Sequence, residues 1–363
     1  MLLDNSEYIA QIKTMMEISS VPWKELDGES ILVSGAAGML GAGAIDVLVY
    51  CNEYESINID IYALGRTADK IEKKYGRICE KEYFHIIEAD VTKPFKFDYK
   101  IDYIIHAAGN AHPYLFANYP VDTLLANVVG TNHFLEYART HETKRLLYIS
   151  SGEMYGQPDD SVTDGFYETY CGRVDYSDSR SCYPAGKRAA ESLCQSYISQ
   201  YDMDAVIVRP CHCYGPTQTT SDTRAISQFI RKVLAGEDIV LKSDGTLVRT
   251  QCYILDAVQA IYLVLLKAPN GEAYNIADNR SDASIRVLAE MISNARGSKL
   301  IFDIPNDYEK KGFSKVTHAV LNGEKLLGLG WKPIWDLKEG IQSTIDILEK
   351  EADGINGRKE KYE

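Results

Sequence analysis

The sequence lacks the features that mark several protein classes. Its 39 lysine and arginine residues are outnumbered by 52 aspartate and glutamate residues, which gives a formal charge of −13. Nucleic acid is therefore not expected as a partner, because binding it needs a basic face. No apolar run reaches the roughly 20 residues of a membrane-spanning helix, and the N-terminus lacks the pattern of a signal peptide. We expect a cytoplasmic protein without membrane insertion.

Disulfide and metal patterns are missing too. The eight cysteines form no Cys-x-x-Cys pair and are too dispersed for a disulfide framework. The run Cys211-His212-Cys213 contains potential ligands, but adjacent ligands without a distant partner cluster make a poor zinc site. We therefore predict reduced cysteines and no metal.

The fold class follows from the alternation of short apolar strands with helices. From residue 29 onward this pattern predicts a parallel sheet covered on both faces, in a Rossmann-type doubly wound α/β fold. The strands are predicted at 31–33, 57–62, 84–87, 103–105, 146–149 and 205–208. Helices are predicted at 40–50, 122–141, 181–201, 221–235, 284–294 and 337–350, and the apolar run 256–267 is expected to return to the main body.

A chain of 363 residues has room for a second lobe. Apolar residues recur from Ile9 to Ile18 at near-helical spacing, so the N-terminus is predicted to be a helix packed on the body or on a dimer partner. Strands become sparse after Pro210. The predicted division is an N-terminal helical extension (1–28), a dinucleotide-binding domain (29–209, with 252–270 returning to it) and a smaller C-terminal substrate lobe (210–251 and 271–363).

A glycine-rich turn follows the first predicted strand. Gly35, Gly38 and Gly41 have G-x-x-G-x-x-G spacing at the start of a helix that opens with Met39 and Leu40. Glycine permits a sharp turn and a close approach to a pyrophosphate, which the N–H groups of the helix N-terminus then face. We predict that all five residues bind a dinucleotide.

The next strands complete the predicted cofactor site. The second strand of such folds normally ends in an acid that binds the adenosine ribose. Here Gly65-Arg66 stands instead. NAD is predicted as the cofactor, and NADP is the alternative because Arg66 is suited to a 2′-phosphate. Asp90, followed by Val91, is placed to contact the adenine after the third strand. Ala107 and Ala108 follow the fourth strand, where small residues let a backbone pass beside the cofactor.

Tyr183 and Lys187 form a Tyr-x-x-x-Lys pair on one face of a predicted helix. A free tyrosine has a pKa near 10. The Lys187 charge, together with an oxidised nicotinamide, is expected to favour the phenolate, and Lys187 is also placed to hold the nicotinamide ribose. Ser151, just past the fifth strand, is placed to share the substrate hydroxyl proton. These residues predict hydride transfer at a carbon that bears a sugar hydroxyl.

In this order, the motifs resemble those of the extended short-chain dehydrogenase/reductases in the NAD-dependent epimerase/dehydratase family, which modify nucleotide sugars. The resemblance covers nearly the whole chain from residue 29. Within the family, residues 168–188 and 244–253 are most similar to the UDP-glucuronate decarboxylases. The resemblance implies a nucleotide-sugar substrate and a homodimer formed through helices 122–141 and 181–201.

The resemblance also implies residue roles. Tyr183 takes the C4 hydroxyl proton while a hydride moves to the cofactor, and the resulting 4-ketone promotes loss of carbon dioxide from C5. Glu153 lies near C5 and moves protons, and Arg249 pairs with the nucleotide diphosphate. Arg180 supports the sugar carboxylate or its own loop. His212 stands where the family has an asparagine and is assigned to the substrate.

Departures from the family pattern leave the reaction open. Gly152 occupies the position of an acid in 4,6-dehydratases and of a serine in decarboxylases, and Thr217 replaces a frequent arginine. Decarboxylation is placed first. The alternatives are epimerisation, reduction of a keto sugar by NADPH (favoured by Arg66), dehydration, and binding of a dinucleotide without catalysis.

Overall fold

A computed structural model of the chain describes residues 1–111, 113–159, 162, 164–303 and 318–359. The strands are β1 (Ser30–Ser34), β2 (Asp60–Gly65), β3 (Phe84–Glu88), β4 (Tyr103–His106), β5 (Arg145–Ile149), β6 (Ala205–Pro210), β7 (His212–Tyr214), β8 (Ile239–Leu241), β9 (Val248–Tyr253), β10 (Ala273–Ile276), β11 (Asp282–Ser284), β12 (Leu300–Phe302) and β13 (His318–Ala319). The helices are α1 (Ser6–Ile18), α2 (Met39–Tyr54), α3 (Ala68–Tyr75), α4 (Pro113–Asn118), α5 (Pro120–Thr140), α6 (Cys182–Tyr201), α7 (Ala225–Leu234), α8 (Ile254–Lys267), α9 (Ile285–Arg296), α10 (Glu324–Gly328) and α11 (Leu337–Lys359). Among these helices, none has the length and apolar character that a membrane crossing needs.

The main sheet is parallel and has the strand order β10-β6-β5-β4-β1-β2-β3. The chain builds outward in one direction from β1 to β3 and in the other direction from β4 onward. Doubly wound folds bind ligands at this reversal, in the crevice outside the carboxyl ends of the strands. The predicted Rossmann-type fold is confirmed.

Alternate residues of the sheet face two different helical layers. In β1, Ile31 and Val33 belong to the core that contains α2 and α8, whereas Leu32 belongs to the core that contains α5 and α6. Strands buried on both faces need apolar residues at every position, which explains the near-continuous apolar runs in the sequence.

The second strand lies further along the chain than the predicted 57–62. Ile57 and Ile59 are buried as predicted. However, the Ile59 N–H and carbonyl bond to the side chain of Asn52, at 2.8 and 2.9 Å. These side-chain bonds take the place of a strand ladder, so this part of the apolar run enters the core as a loop.

The C-terminal lobe contains smaller sheets that the sequence did not predict. There, β9 pairs with β7, β11 and β13, and β8 pairs with β12. The strand β10 lies within the range assigned to the lobe, yet it pairs with β6 and extends the main sheet. A four-residue apolar strand carries no sign of its partner, so only the packing of Tyr274 and Ile276 in the main core places it.

The N-terminal extension packs on the body of the protein. Asn5 caps α1 by accepting the N–H groups of Glu7 and Tyr8. The buried Tyr8 hydroxyl donates to Asp46 of α2 at 3.0 Å. At the next turn, Gln11 accepts the Tyr253 hydroxyl of β9 at 2.7 Å. The extension is therefore held against both α2 and the end of β9.

Asp46 links this packing to pH. Its side chain is 2% exposed, and burial raises its pKa to about 6, helped by the charge of Glu351 and opposed by that of Lys74. A pKa raised in the folded state gives stability that is complete below the unfolded pKa, near 4, and is lost as the pH rises through about 6.

We predict that Asp46→Asn raises the free energy of unfolding at alkaline pH by more than it does at acid pH. A neutral amide keeps an acceptor for Tyr8 without a buried charge, and the two effects should differ by roughly 3 kcal/mol. Urea unfolding at about pH 8 and about pH 4 measures this difference. The exposed Asp69→Asn is the control, and an equal effect of Asp46→Asn at both pH values would contradict the prediction.

Candidate active site

The glycine-rich turn between β1 and α2 is packed too tightly for larger residues. Gly35 has φ +71°, and a methyl group there would lie 2.9 Å from the Ala107 carbonyl oxygen. A methyl at Gly41 would lie 2.4 Å from the Gly35 carbonyl oxygen. Gly38 occupies the N-cap position of α2 and offers no side chain to the first N–H groups. These N–H groups, beginning at Met39, are available at the crevice for an anion.

Hydrogen bonds tie β1 to β4 beneath the turn. The Ser34 hydroxyl lies 2.8 Å from His106 Nδ1 and accepts the Ala108 N–H at 3.0 Å. Burial, with the charge of Lys187, lowers the pKa of His106 to about 3, so the ring is neutral. Ala107 and Ala108 therefore form a fixed wall beside the turn that presents nothing larger than a methyl group.

The residues predicted for the adenosine end lie at the carboxyl edge of β2 and β3. Arg66 and Asp90 are both exposed there. The Asp90 carboxylate accepts the N–H and the hydroxyl of Thr92, at 3.0 and 2.9 Å. Val91 is buried against α5, and its carbonyl accepts a bond from His133 at 2.9 Å. The α5 contacts thus occupy both the side chain and the carbonyl of Val91.

An acid stands at this edge that sequence reasoning missed. Glu88 of β3 is the register partner of Gly65 and accepts the Ala68 N–H at 2.8 Å. The strand-end carboxylate comes from β3, whereas the familiar pattern places it on β2. No local motif marks Glu88, because only strand register brings it beside β2.

Lys187 of α6 lies in the wall of the crevice with its ammonium largely desolvated. Its side chain is 5% exposed, and Nζ donates to the Ile149 carbonyl at the end of β5 at 2.7 Å. Nζ also lies over the rings of Tyr148 and Tyr183, 4.8 and 5.7 Å from their centroids. A methyl at Gly109, after β4, would be 3.8 Å from Nζ. Burial lowers the pKa of Lys187 to about 7.

Tyr183 is 5% exposed and stacks on Phe116, with 4.2 Å between ring centroids. Burial and the charge of Glu153 raise its pKa, while a hydrogen bond with Ser151 and the charge of Arg224 oppose the rise. In the protein alone the pKa of this phenol thus lies above its ordinary value, so the predicted phenolate depends on the nicotinamide charge that the prediction joins to that of Lys187. Burial disfavours the charged form of each group, so the pKa of Tyr183 rises, the pKa of Lys187 falls, and the two values move apart.

Three arginines surround Glu153, which follows Ser151 at the end of β5. The Ser151 hydroxyl accepts the Glu153 N–H at 3.2 Å. Water reaches the carboxylate through the open cleft, but the surrounding protein desolvates it in part and raises its pKa. The charges of Arg249, Arg180 and Arg224 oppose this rise. Because Arg224 is itself paired with Asp222, the excess of positive charge near Glu153 comes from Arg249 and Arg180.

Adjacent strands of the lobe place the remaining predicted substrate residues. Arg249, on β9, is 9% exposed, and burial lowers its pKa against the opposing charge of Glu153. His212, on β7, is paired in register with Gln251 of β9. Burial, with the charges of Arg249 and Arg224, lowers the pKa of His212 to about 3, so it offers a neutral imidazole. Arg180 is exposed just before α6 and stands at the rim.

Arg224, just before α7, is a site residue that sequence reasoning missed. Its guanidinium pairs with Asp222, donates to the Cys213 carbonyl at 3.0 Å and contacts Met39 Sδ at 3.3 Å. Thr217 reaches the same helix start by donating to the Met39 carbonyl at 3.0 Å. In the sequence, Asp222 and Arg224 form only a local ion pair in a loop. Tertiary packing alone brings them to the dinucleotide turn.

The chain is similar to several known proteins. The model of the NAD dependent epimerase/dehydratase family matches residues 31–277. The chain is 31% identical to UDP-glucuronic acid decarboxylase 5 of Arabidopsis thaliana over 86% of each chain. It is 28% identical to human dTDP-D-glucose 4,6-dehydratase over 90% of this chain and 92% of that protein.

A solved structure has the same fold. The UDP-glucose 4-epimerase of Thermus thermophilus, in complex with NAD, superposes with a TM-score of 0.72 at 22% identity. The match covers 88% of this chain and 98% of the epimerase.

Proposed function

The chain belongs to the NAD dependent epimerase/dehydratase family, and from that membership we propose that it is a nucleotide-sugar enzyme that decarboxylates UDP-glucuronate. One observation carries the proposal. A Tyr183–Lys187 pair stands beside a carboxylate, Glu153, that three arginines surround. A nucleotide diphosphate and a sugar carboxylate are both anionic, and together they match this excess of positive charge.

The turn after β1 fits a dinucleotide, because the backbone of Gly35 and Gly41 lies where any side chain would clash. Bound there, NAD would supply the hydride acceptor for oxidation at the sugar C4 and the hydride donor for the reverse transfer. Glu88, at the end of β3 and beside the end of β2, supports NAD over NADP, because its negative charge disfavours a 2′-phosphate beside Arg66.

The residues of the cleft then divide the proton transfers. Tyr183 takes the proton of the C4 hydroxyl, shared with Ser151, as the C4 carbon is oxidised. A buried phenolate needs positive neighbours, which protonated Lys187 and the oxidised nicotinamide provide. Lys187 also holds the nicotinamide ribose, near Gly109.

The chemistry at C5 follows from the new ketone. The bond from C5 to the carboxylate breaks, its electron pair moves toward the C4 carbonyl, and carbon dioxide leaves. Glu153 supplies the proton that C5 then needs, and a raised pKa suits a carboxyl group to that role. Arg249 and His212 bind the nucleotide diphosphate side of the substrate, and Arg180 binds the carboxylate at the rim. Arg224 adds positive charge beside the dinucleotide turn.

Dehydration finds less support at position 152. A methyl group at Gly152 would lie 2.8 Å from the side chain of Leu321, which is 2% exposed. An acid at this position, as in the 4,6-dehydratases, would have to displace a packed core residue. The geometry therefore favours a reaction that needs no acid there.

A panel of UDP-, dTDP-, GDP- and CDP-sugars, read by mass spectrometry, tests the proposed function. We expect UDP-glucuronate to give a product lighter by one carbon dioxide, with no net consumption of the nicotinamide cofactor. A product lighter by one water would indicate dehydration, and an isomer of unchanged mass would indicate epimerisation. Stoichiometric oxidation of NADPH would indicate a reductase. Each of these three results would contradict the proposal.

Tyr183→Phe is expected to bind NAD and to unfold at the wild-type temperature, because the ring still stacks on Phe116. Its turnover should fall by roughly 10²–10⁴-fold, since the group that takes the C4 proton is gone. The exposed Tyr54→Phe serves as the control. Undiminished turnover in Tyr183→Phe would show that this phenol is not the base.

We also propose that two copies associate through α5 and α6. These helices pack side by side, and α5 exposes apolar residues beside α6, namely Val121 at 66%, Leu124 at 38% and Leu125 at 42%. An apolar stripe on adjacent helices is suited to an interface with its own copy.

Sedimentation equilibrium is expected to give twice the chain mass for the wild type and the mass of one chain for Leu125→Glu. Val287→Glu, which alters an exposed apolar residue of α9, should stay dimeric. A monomeric wild type would contradict the proposed dimer.

A further inference from the structure

We propose that Arg188 is a positioning residue that holds Glu153 in a fixed place relative to Tyr183; this rests on the function proposed above. Arg188 follows Lys187 directly in α6, yet its guanidinium binds backbone carbonyls of the turn that carries Glu153. The helix that presents the Tyr–Lys pair therefore also sets the position of the carboxylate.

Contacts of the carboxylate do not determine the position of Glu153. Within the ranges that the structure describes, its carboxylate makes no hydrogen bond or ion pair; only its backbone is bonded, the N–H to Ser151 and the carbonyl to the Gly156 N–H. The three arginines around it act through charge over longer distances. The position of Glu153 must therefore come from the backbone of its own 3₁₀ turn, Gly152–Tyr155.

Arg188 binds the end of this turn. Its Nε donates to the Met154 carbonyl at 2.6 Å, and Nη2 donates to the carbonyls of Tyr155 at 3.0 Å and Gly172 at 2.7 Å. The last carbonyls of a short helix have no partner within it, and the planar fork of an arginine satisfies several at once. The turn is thereby fixed both to α6 and to the loop at Gly172.

Backbone packing around the turn leaves little freedom for another position. A methyl at Gly172 would lie 2.4 Å from the Tyr155 carbonyl oxygen. Gly156, with φ +75°, ends the turn, and a methyl there would lie 2.4 Å from the Arg173 carbonyl oxygen. The Arg188 bonds and this backbone packing therefore together restrict where the turn, and with it Glu153, lies.

A second residue of α6 holds the opposite side of the turn. The Tyr155 hydroxyl donates to Asn275 Oδ1 at 2.7 Å and accepts from Arg209 at 2.8 Å. Arg209 in turn forms a buried two-bond pair with Glu191 of α6, at 3.0 and 2.7 Å. Two residues on consecutive turns of α6 thus hold the Glu153 turn. Arg188 binds its backbone carbonyls, and Glu191 acts through Arg209 on the side chain of Tyr155.

The test compares two steps of one turnover in Arg188→Lys. After rapid mixing with UDP-glucuronate, cofactor reduction reports C4 oxidation and carbon dioxide release reports the C5 step. A lysine keeps the charge but lacks the fork, so we expect cofactor reduction within about threefold of wild type. Carbon dioxide release should fall at least about tenfold, because a displacement near 1 Å has effects of this size. Glu153→Gln is the reference for a complete loss of the carboxylate: it should slow carbon dioxide release the most while cofactor reduction is largely kept.

Arg145→Lys is the matched control. Arg145 also binds backbone carbonyls with its guanidinium, those of Leu265 and Ala268 at 3.0 and 2.9 Å, but it lies at the amino end of β5. Its replacement should leave the ratio of carbon dioxide to reduced cofactor at the wild-type value. The ratio separates a positioning role from a loss of stability, which would lower both steps together.

Tyr155→Phe is a second variant that keeps the buried ring and loses the hydroxyl anchor. It should shift the ratio in the same direction as Arg188→Lys. The inference is overturned if both variants keep the wild-type ratio, or if Arg188→Lys slows both steps equally. A wild type that releases no carbon dioxide overturns the proposed function and this inference with it, whereas wild-type decarboxylation with unchanged variants overturns the inference alone.

Discussion

The buried ammonium of Lys187 is the interaction on which the site depends. It is held by one backbone carbonyl at the end of β5 and by the faces of two tyrosine rings. A charge so far removed from water is maintained only if α6 and β5 keep their relative position. That packing in turn places Tyr183 beside Ser151 and sets Lys187 next to Gly109, at the point where the sheet reverses its order.

Desolvation also sets the pKa values of the groups in the site. Burial lowers the pKa of Lys187 and raises that of Tyr183, so each group favours its neutral form. Glu153 adds to the rise for Tyr183, while its own pKa is raised by the surrounding protein. A cationic nicotinamide ring beside the phenol would favour the phenolate, and anionic substrate groups would favour the protonated form of Lys187.

Much of this arrangement could be predicted from the sequence, because its signals are local. The glycines of the first turn, the spacing of Tyr183 and Lys187 and the alternation of strands and helices each depend on neighbouring residues. Glu88, Arg224 and the α6 contacts of Arg188 could not be predicted, because strand register and loop packing bring them to the site. The effect of burial on Tyr183 could not be predicted for a related reason: spacing reveals a nearby ammonium, but only the packed structure reveals how little water reaches either group.

In the proposed reaction, a hydride leaves C4 of the sugar and returns to the same carbon while the cofactor stays bound. The most direct measurement uses UDP-glucuronate deuterated at C4, with the product read by NMR. If the reaction proceeds as proposed, deuterium is retained at C4, a solvent proton enters at C5, and the cofactor ends oxidised. Loss of deuterium from C4, or cofactor left reduced in proportion to product, would contradict it.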